Sequence, residues 1–177
     1  MEGAADGRCC DVAVESMTDL DDEQWMREAL AEARLAGARG DVPVGAVLVH
    51  EGRVLARAHN ERELTGSPLA HAEVLALERA GRSQKRWRLD DCTLYVTLEP
   101  CPMCAGALVQ ARLGKLVFGA FDARHGAARS LYQLCDDPRA PHQLRVHGGV
   151  LEPDCVALLQ GFFQGLRERA KAPVTQP

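Results

Sequence analysis

The sequence predicts an α/β fold in which one mixed β-sheet carries helices on both faces. Three observations predict it. Short β-branched runs alternate with helical patterns, apart from an opening hairpin. No internal repeat or linker interrupts them. The 177 residues, 46% hydrophobic and 26% charged, suffice for one domain with a real core.

The elements follow in order. Met1 to about Leu20 is rich in small and acidic residues without periodicity and is expected to be a disordered leader. A single domain is expected over 21–171, with 172–177 as a tail. Asp21 or Asp22 is placed to cap a helix from Glu23 to Ala38, with Trp25, Ala29, Leu30 and Ala33 as its apolar stripe and Gly37 and Gly40 at its end. Val44–Val49 and Val54–Ala58 read as a hairpin around a turn at residues 50–53. Residues 61–70 read as a polar loop, and His71–Gly81 as a helix. Thr93–Thr97 is a strand that leads through a sharp turn at Glu99–Cys101 into a helix over Pro102–Arg112. Pro102 suits a first helical turn because no backbone donor is needed there. Leu116–Gly119 is a further strand, Ser130–Cys135 a short helix, Arg145–His147 an edge strand and Pro153–Arg169 the last helix.

Composition excludes several classes. No apolar run approaches the ~18–20 residues of a membrane span, and the N-terminus lacks the basic-then-apolar order of a secretory signal. A cytoplasmic location is therefore expected. Seven cysteines, an odd number, argue against a disulfide framework, so a closely spaced pair points to a metal or redox site. The net charge of −4 divides into −6 over residues 1–40, −1 over 41–111 and +3 over 112–177. A polyanion fits best on the C-terminal third, although charge alone does not call for one.

Two motifs carry chemistry: His71-Ala72-Glu73 and Pro100-Cys101-Pro102-Met103-Cys104. Together they match the His-x-Glu and Pro-Cys-x-x-Cys pattern already known from zinc nucleobase deaminases, tRNA-deaminase-derived editors among them. The physics agrees with the match. A catalytic zinc takes three protein ligands and keeps one position open for water. At a helix start, Cys101 and Cys104 can both reach one ion at about 2.3 Å, and His71 supplies the third ligand. Mid-helix, His71 and Glu73 would face apart, but at a helix N-terminus side chains can bend over the open end. The partial positive charge there favours thiolates. Glu73 would carry protons from the attacking water to the ring nitrogen and the leaving amine.

Simpler readings compete. A lone Cys-x-x-Cys is often half of a structural zinc site or a redox pair. A closed site needs a fourth ligand, and the spare candidates, Cys92 and His59, lack finger or ribbon spacing. A redox pair leaves His71-Ala72-Glu73 unexplained. Cys92, Cys135 and Cys155 read as small core residues.

Around these motifs the sequence resembles the bacterial tRNA-specific adenosine deaminases of the cytidine-deaminase fold. Pro43-Val44-Gly45-Ala46-Val47-Leu48-Val49 is similar to the family's first strand. Ala70-His71-Ala72-Glu73 is similar to the start of its second helix. Thr93 to Ala107 matches almost without a break, and Val117-Phe118-Gly119-Ala120 and Gly126-Ala127-Ala128 follow in order. The resemblance spans about Glu23 to Arg169. It implies a three-layer α/β/α sandwich with a five-stranded sheet, one Zn2+ per subunit, a homodimer, and conversion of the wobble adenosine of an arginine tRNA to inosine. It further implies that Asn60 hydrogen-bonds the target nucleoside, that Val44, Ala70, Glu99 and Pro100 line its pocket, and that Asp122, Arg124 and His125 lie in a loop facing the RNA. The leader exceeds what the family usually carries, which makes Met17 a candidate start.

Two other functions stay open at this stage. The same zinc site serves deaminases of free guanine, cytosine or cytidine. A non-catalytic RNA-binding protein with structural zinc is the other, although Glu73 would have no purpose in it.

Overall fold

The computed structural model describes residues 11–171, with side chains from Asp21 onward. The five strands are β1 (Gly45–His50), β2 (Arg53–His59), β3 (Cys92–Leu98), β4 (Lys115–Ala120) and β5 (Arg145–Gly148). They form one sheet in the order β2-β1-β3-β4-β5. β1 runs antiparallel to β2 and β3, whereas β4 is parallel to β3 and β5. The mixed sheet is the one expected. Glu51 and Gly52, both with positive φ (47° and 70°), make the two-residue turn between β1 and β2. Positive φ at both turn positions matches the right-handed twist of the flanking strands.

Alternation along the strands splits the core in two. Ala46, Leu48, Leu94, Val96, Leu116 and Phe118 point to one face. Val47, Val49, Tyr95 and Val117 point to the other. The first face is covered by α3 (Ala72–Gln84) and α4 (Pro102–Gln110), the second by α1 (Asp11–Ala38) and α5 (Glu152–Lys171). The result is a three-layer sandwich. Gly45 lets α1 lie directly on β1, since a Cβ there would overlap the Ala29 carbonyl oxygen and the Ala33 nitrogen. Cys92, Cys135 and Cys155 are buried core residues, as expected.

Three expectations need correction. The first helix begins at Asp11, so residues 11–20 belong to α1; residues 1–10 and the tail 172–177 lie outside the described residues. Asp22 lies inside that helix and does not cap it. Its carboxylate, 3% exposed, accepts the Tyr95 hydroxyl at 2.8 Å and Lys115 Nζ at 2.7 Å, with His147 Nδ1 at 3.1 Å. These donors come from β3, β4 and β5, so one aspartate ties α1 across three strands. Burial pushes its carboxyl up, but Lys115, Tyr95 and His147 outweigh burial and hold it below the usual range. Finally, no helix forms over 130–135. The N–H groups of Leu131, Tyr132 and Leu134 reach back to the Gly126 and Ala127 carbonyls rather than to the residue four before each, while Ala128, Arg129 and Ser130 donate to the Glu99 carboxylate. The 61–70 loop also holds one short turn of helix, α2 (Arg62–Thr65).

Replacing Asp22 with Ala should cost about 2–3 kcal/mol in denaturant unfolding, because buried donors lose a charged acceptor. The Asp22 carboxyl is depressed in the folded state. Its contribution is therefore full above the unfolded value near ~4 and fades as pH falls through the folded one. The gap between wild type and variant should close in acid.

Candidate active site

Two helices begin with residues that do not cap them. His71 precedes α3 in an extended conformation (φ −79°, ψ 147°), and Cys101 precedes α4 likewise (φ −72°, ψ 171°). Neither side chain makes a cap hydrogen bond to its own helix, so the imidazole and the thiol are left for other work. Pro102 occupies the first turn of α4, where the missing N–H costs nothing. Cys104 follows in that same turn and is fully buried.

The two helix starts meet. His71 Nδ1 lies 3.4 Å from Cys104 Sγ and 3.7 Å from Cys101 Sγ. A tetrahedral zinc with bonds of about 2.0 Å to nitrogen and 2.3 Å to sulfur has ligand–ligand edges of roughly 3.5–3.8 Å. The two nitrogen–sulfur distances lie close to such an edge, and all three ligand atoms are within 4.8 Å of one another. His71, Cys101 and Cys104 are the one His/Cys/Asp/Glu group of this kind among the described residues. Neither spare ligand joins them. Cys92 is engaged by Asp91 at 3.2 Å, and His59 lies between Glu32 at 2.8 Å and Arg39 at 2.9 Å. Three protein ligands leave a fourth position free, which is how a catalytic zinc site differs from a closed structural one.

The charges are arranged around this cluster. The Cys101 thiol is lowered to about 4, first by the hydrogen bond from Cys104 and then by His71. Cys104 is pushed far up by donating to Cys101 and by burial. His71 is raised, chiefly by the Cys101 sulfur. Glu73, in the first turn of α3 and 4% exposed, is raised mainly by burial, with Cys101 adding to it. A buried carboxyl with a raised pKa beside such a His/Cys cluster is suited to holding and releasing a proton.

The expected pocket residues divide into two groups. Val44, Asn60 and Ala70 are brought together next to His71. The Asn60 N–H donates to the Val44 carbonyl at 2.9 Å, and the Glu61 N–H to the Ala70 carbonyl at 3.0 Å. All three residues are buried. Pro100 is also buried, and its carbonyl accepts the Ala127 N–H at 2.8 Å.

Glu99, expected as pocket wall, has a different geometry. Its carboxylate is 2% exposed and turned into the 122–130 loop. It accepts the N–H groups of Asp122 (3.0 Å), Ala128 (3.1 Å), Arg129 (2.6 Å) and Ser130 (2.8 Å), and the Ser130 hydroxyl as well. Burial raises this carboxyl, but the Ser130 hydroxyl and the backbone donors outweigh it and hold the group low. Gly126 is required there, because a Cβ would overlap the Glu99 carboxylate. Asp122 shapes the loop from within, accepting the N–H groups of Arg124 at 2.9 Å and His125 at 3.1 Å. Arg124 and His125 remain exposed on its rim.

One residue escaped the sequence reading. Asp41, 1% exposed, binds the Asn60 amide at 3.3 Å and the N–H groups of Glu63 and Leu64 at 2.9 and 3.1 Å. An aspartate between Gly40 and Val42 looks like any turn residue, so no local signal marked it.

Helices on both faces of a five-stranded mixed sheet, with His, Cys, Cys and a buried Glu at two meeting helix starts, define a deaminase of the cytidine-deaminase type. The family model for MafB19-like deaminases matches residues 20–167. Among curated relatives, the tRNA-specific adenosine deaminase of Bacillus subtilis is 50% identical over 151 residues, covering 85% of this chain and 94% of its own. One solved structure, from a study of A-to-I editing by tRNA:A34 deaminases at the wobble position of transfer RNA, is 41% identical. It covers 77% of this chain and 99% of its own, with a TM-score of 0.74. A guanine deaminase from Nitrosomonas europaea shares the fold at 21% identity, covering 92% of this chain and 97% of its own, with a TM-score of 0.70. The chain belongs to the tRNA-specific adenosine deaminase family.

Two outcomes follow from this geometry. Elemental analysis should find about one metal ion per chain in the wild type and in Glu73→Ala, and almost none in Cys104→Ala, because only the last loses a ligand. Glu99→Gln turns an NH2 group toward donors, which should cost about 2–3 kcal/mol. Amide exchange at residues 128–130 should speed up with it.

Proposed function

We propose that the protein is a zinc-dependent hydrolase that converts the wobble adenosine in the anticodon loop of an arginine tRNA to inosine. The observation that carries this reading is the buried Glu73 beside a three-ligand His71/Cys101/Cys104 cluster with ligand spacing suited to zinc. The family relationship supports adenosine in tRNA as the substrate.

His71 Nδ1 and the sulfurs of Cys101 and Cys104 would hold the ion. When bound, zinc supplies a water acidified toward a pKa of ~7. Glu73 would take one proton from the attacking water as its oxygen adds to the ring carbon bearing the amine, and pass that proton to the ring nitrogen. It would then move the second proton of the same oxygen to the amine, whose bond to carbon breaks as it leaves as ammonia. Burial suits Glu73 to this exchange, since it disfavours the charged form and keeps bulk water from the proton. Asn60 holds the nucleoside, and Val44, Ala70 and Pro100 bound its pocket.

An anticodon loop suits the site because its bases are single-stranded and cost little to unstack. Arg124 and His125, exposed on the rim of the 122–130 loop, are placed to meet the phosphate backbone. No helix among the described residues is long and apolar enough to cross a membrane. The reading includes a homodimer working in the cytoplasm, where tRNA is modified.

The test is conversion of an anticodon stem-loop of arginine tRNA carrying the wobble adenosine, with inosine as the readout. Free guanine, cytosine and cytidine are offered in parallel. Inosine should form from the stem-loop alone, with binding that weakens steeply as salt rises. Glu73→Ala should lower the rate by at least about 10²- to 10⁴-fold. Ammonia from a free base, with the stem-loop untouched, would overturn the reading.

A further inference from the structure

We infer that Asp41 is a positioning residue: it fixes the Asn60 amide so that the side-chain oxygen, and not the NH2 group, is offered to the substrate. The inference rests on the reading that Asn60 contacts the target nucleoside. It deepens that reading by naming the polarity of the contact. The site then takes a hydrogen-bond donor of the nucleoside at this point, the ribose hydroxyl, since the only N–H groups of the adenine are those of the amine that leaves.

The argument starts from the neighbours of Asn60. Its Nδ2 lies 3.3 Å from Asp41 Oδ1 and 3.4 Å from the Val42 carbonyl oxygen. Both neighbours only accept, so the amide must turn its NH2 to them, and both of its hydrogens are used. The backbone N–H of Asn60 is already given to the Val44 carbonyl at 2.9 Å. What is left is Oδ1. It has no partner among the described residues, and it is not one of the buried side-chain atoms left without one, so it remains open to solvent. Asn60 is itself 7% exposed and lies beside the segment leading into His71. A buried amide with one end held and one acceptor atom free is a directional contact waiting for a donor.

Asp41 is itself held firmly. It is 1% exposed, and its oxygens take the N–H groups of Glu63 at 2.9 Å and Leu64 at 3.1 Å. Those donors open α2, whose own N-cap residue, Glu61, makes no side-chain cap bond. Asp41 thus does that work from outside the helix, and the same carboxylate joins α2 to Asn60. Both oxygens are occupied by donors, so an asparagine at 41, with one acceptor oxygen, cannot serve all three. The carboxylate also polarises the amide it holds, which makes Oδ1 a stronger acceptor.

The test uses zinc-loaded full-length protein and the anticodon stem-loop. kcat and KM are measured for wild type, Asp41→Asn, Asn60→Ala and the double variant. Asp41→Asn should lower kcat/KM by about 10- to 100-fold, carried mainly by KM, because the contact is to a part of the nucleoside that does not react. The double variant should be no worse than Asn60→Ala, since both changes remove one contact. A purely structural role for Asp41 would instead reduce the amount of active enzyme, lower kcat at unchanged KM, and multiply with Asn60→Ala. That result, or a silent Asp41→Asn beside an impaired Asn60→Ala, overturns the inference and leaves the Asn60 reading intact. A silent Asn60→Ala overturns both. Should Asp41→Asn fail to fold, Asp41→Glu replaces it: the longer stem displaces Asn60, and the same loss in KM and the same non-additivity are expected. A stem-loop with 2′-deoxyadenosine at the target position tests that donor. The deoxy substrate should cost wild type the Asn60 factor and cost Asn60→Ala nothing. A change of sugar that affects both proteins alike would overturn the ribose hydroxyl as the donor.

Discussion

The site depends on two helices whose first residues leave them uncapped. His71 and Cys101 each occupy the extended position before a helix, where a side chain would ordinarily bond the first turn. Both give up that role. Their side chains bend over the helix ends toward one another, and Cys104 closes the group from one turn along α4. The uncapped N–H groups add partial positive charge where sulfur needs to ionise. The same geometry lets Glu73, two residues past His71, stand beside the cluster rather than on the far side of the helix.

Around this centre, three buried carboxylates hold the chain in place. Asp22 ties α1 to three strands, Asp41 ties α2 to Asn60, and Glu99 gathers the 122–130 loop. Glu99 and Asp41 are neutralised mostly by backbone N–H groups, so burial costs them little and no cation is needed. Asp22 alone has a lysine. Glu73 is the contrast: burial dominates, its carboxyl is raised, and it is left able to exchange a proton. Environment, not residue type, separates the anchors from the acid–base group.

The loop and the metal cluster share a mechanical root. Leu98 ends β3, Glu99 and Pro100 carry the loop, and Cys101 belongs to the His/Cys/Cys cluster. The exposed rim of the loop is thereby tied to the His71/Cys101/Cys104 cluster that could hold a metal ion. Arg124 and His125 are exposed, but the backbone that carries them is held by the Asp122 and Glu99 carboxylates. The chain's net acidity is no obstacle, because the acid lies toward the N-terminal end and the surplus of base lies in the C-terminal third.

By itself the sequence determined what depends on near neighbours. The five strands could be read from β-branched runs and the hairpin from its turn. The match to the known His-x-Glu and Pro-Cys-x-x-Cys pattern marked His71, Glu73, Cys101 and Cys104 as one chemical set, and helix starts at His71 and Pro102 agreed with it. Tertiary structure decided what depends on distant partners. Asp22 looked like a cap because its true donors lie 73 to 125 residues away. Residues 130–135 looked helical because nothing local says that the loop, gathered by Glu99 some 30 residues earlier, turns the N–H groups of Leu131, Tyr132 and Leu134 back to Gly126 and Ala127. Asp41 looked like a turn because its value lies in Asn60 and α2, about 20 residues on. A hydrogen-bond acceptor has the same letter whichever donor it meets, and only the folded chain brings the donor to it.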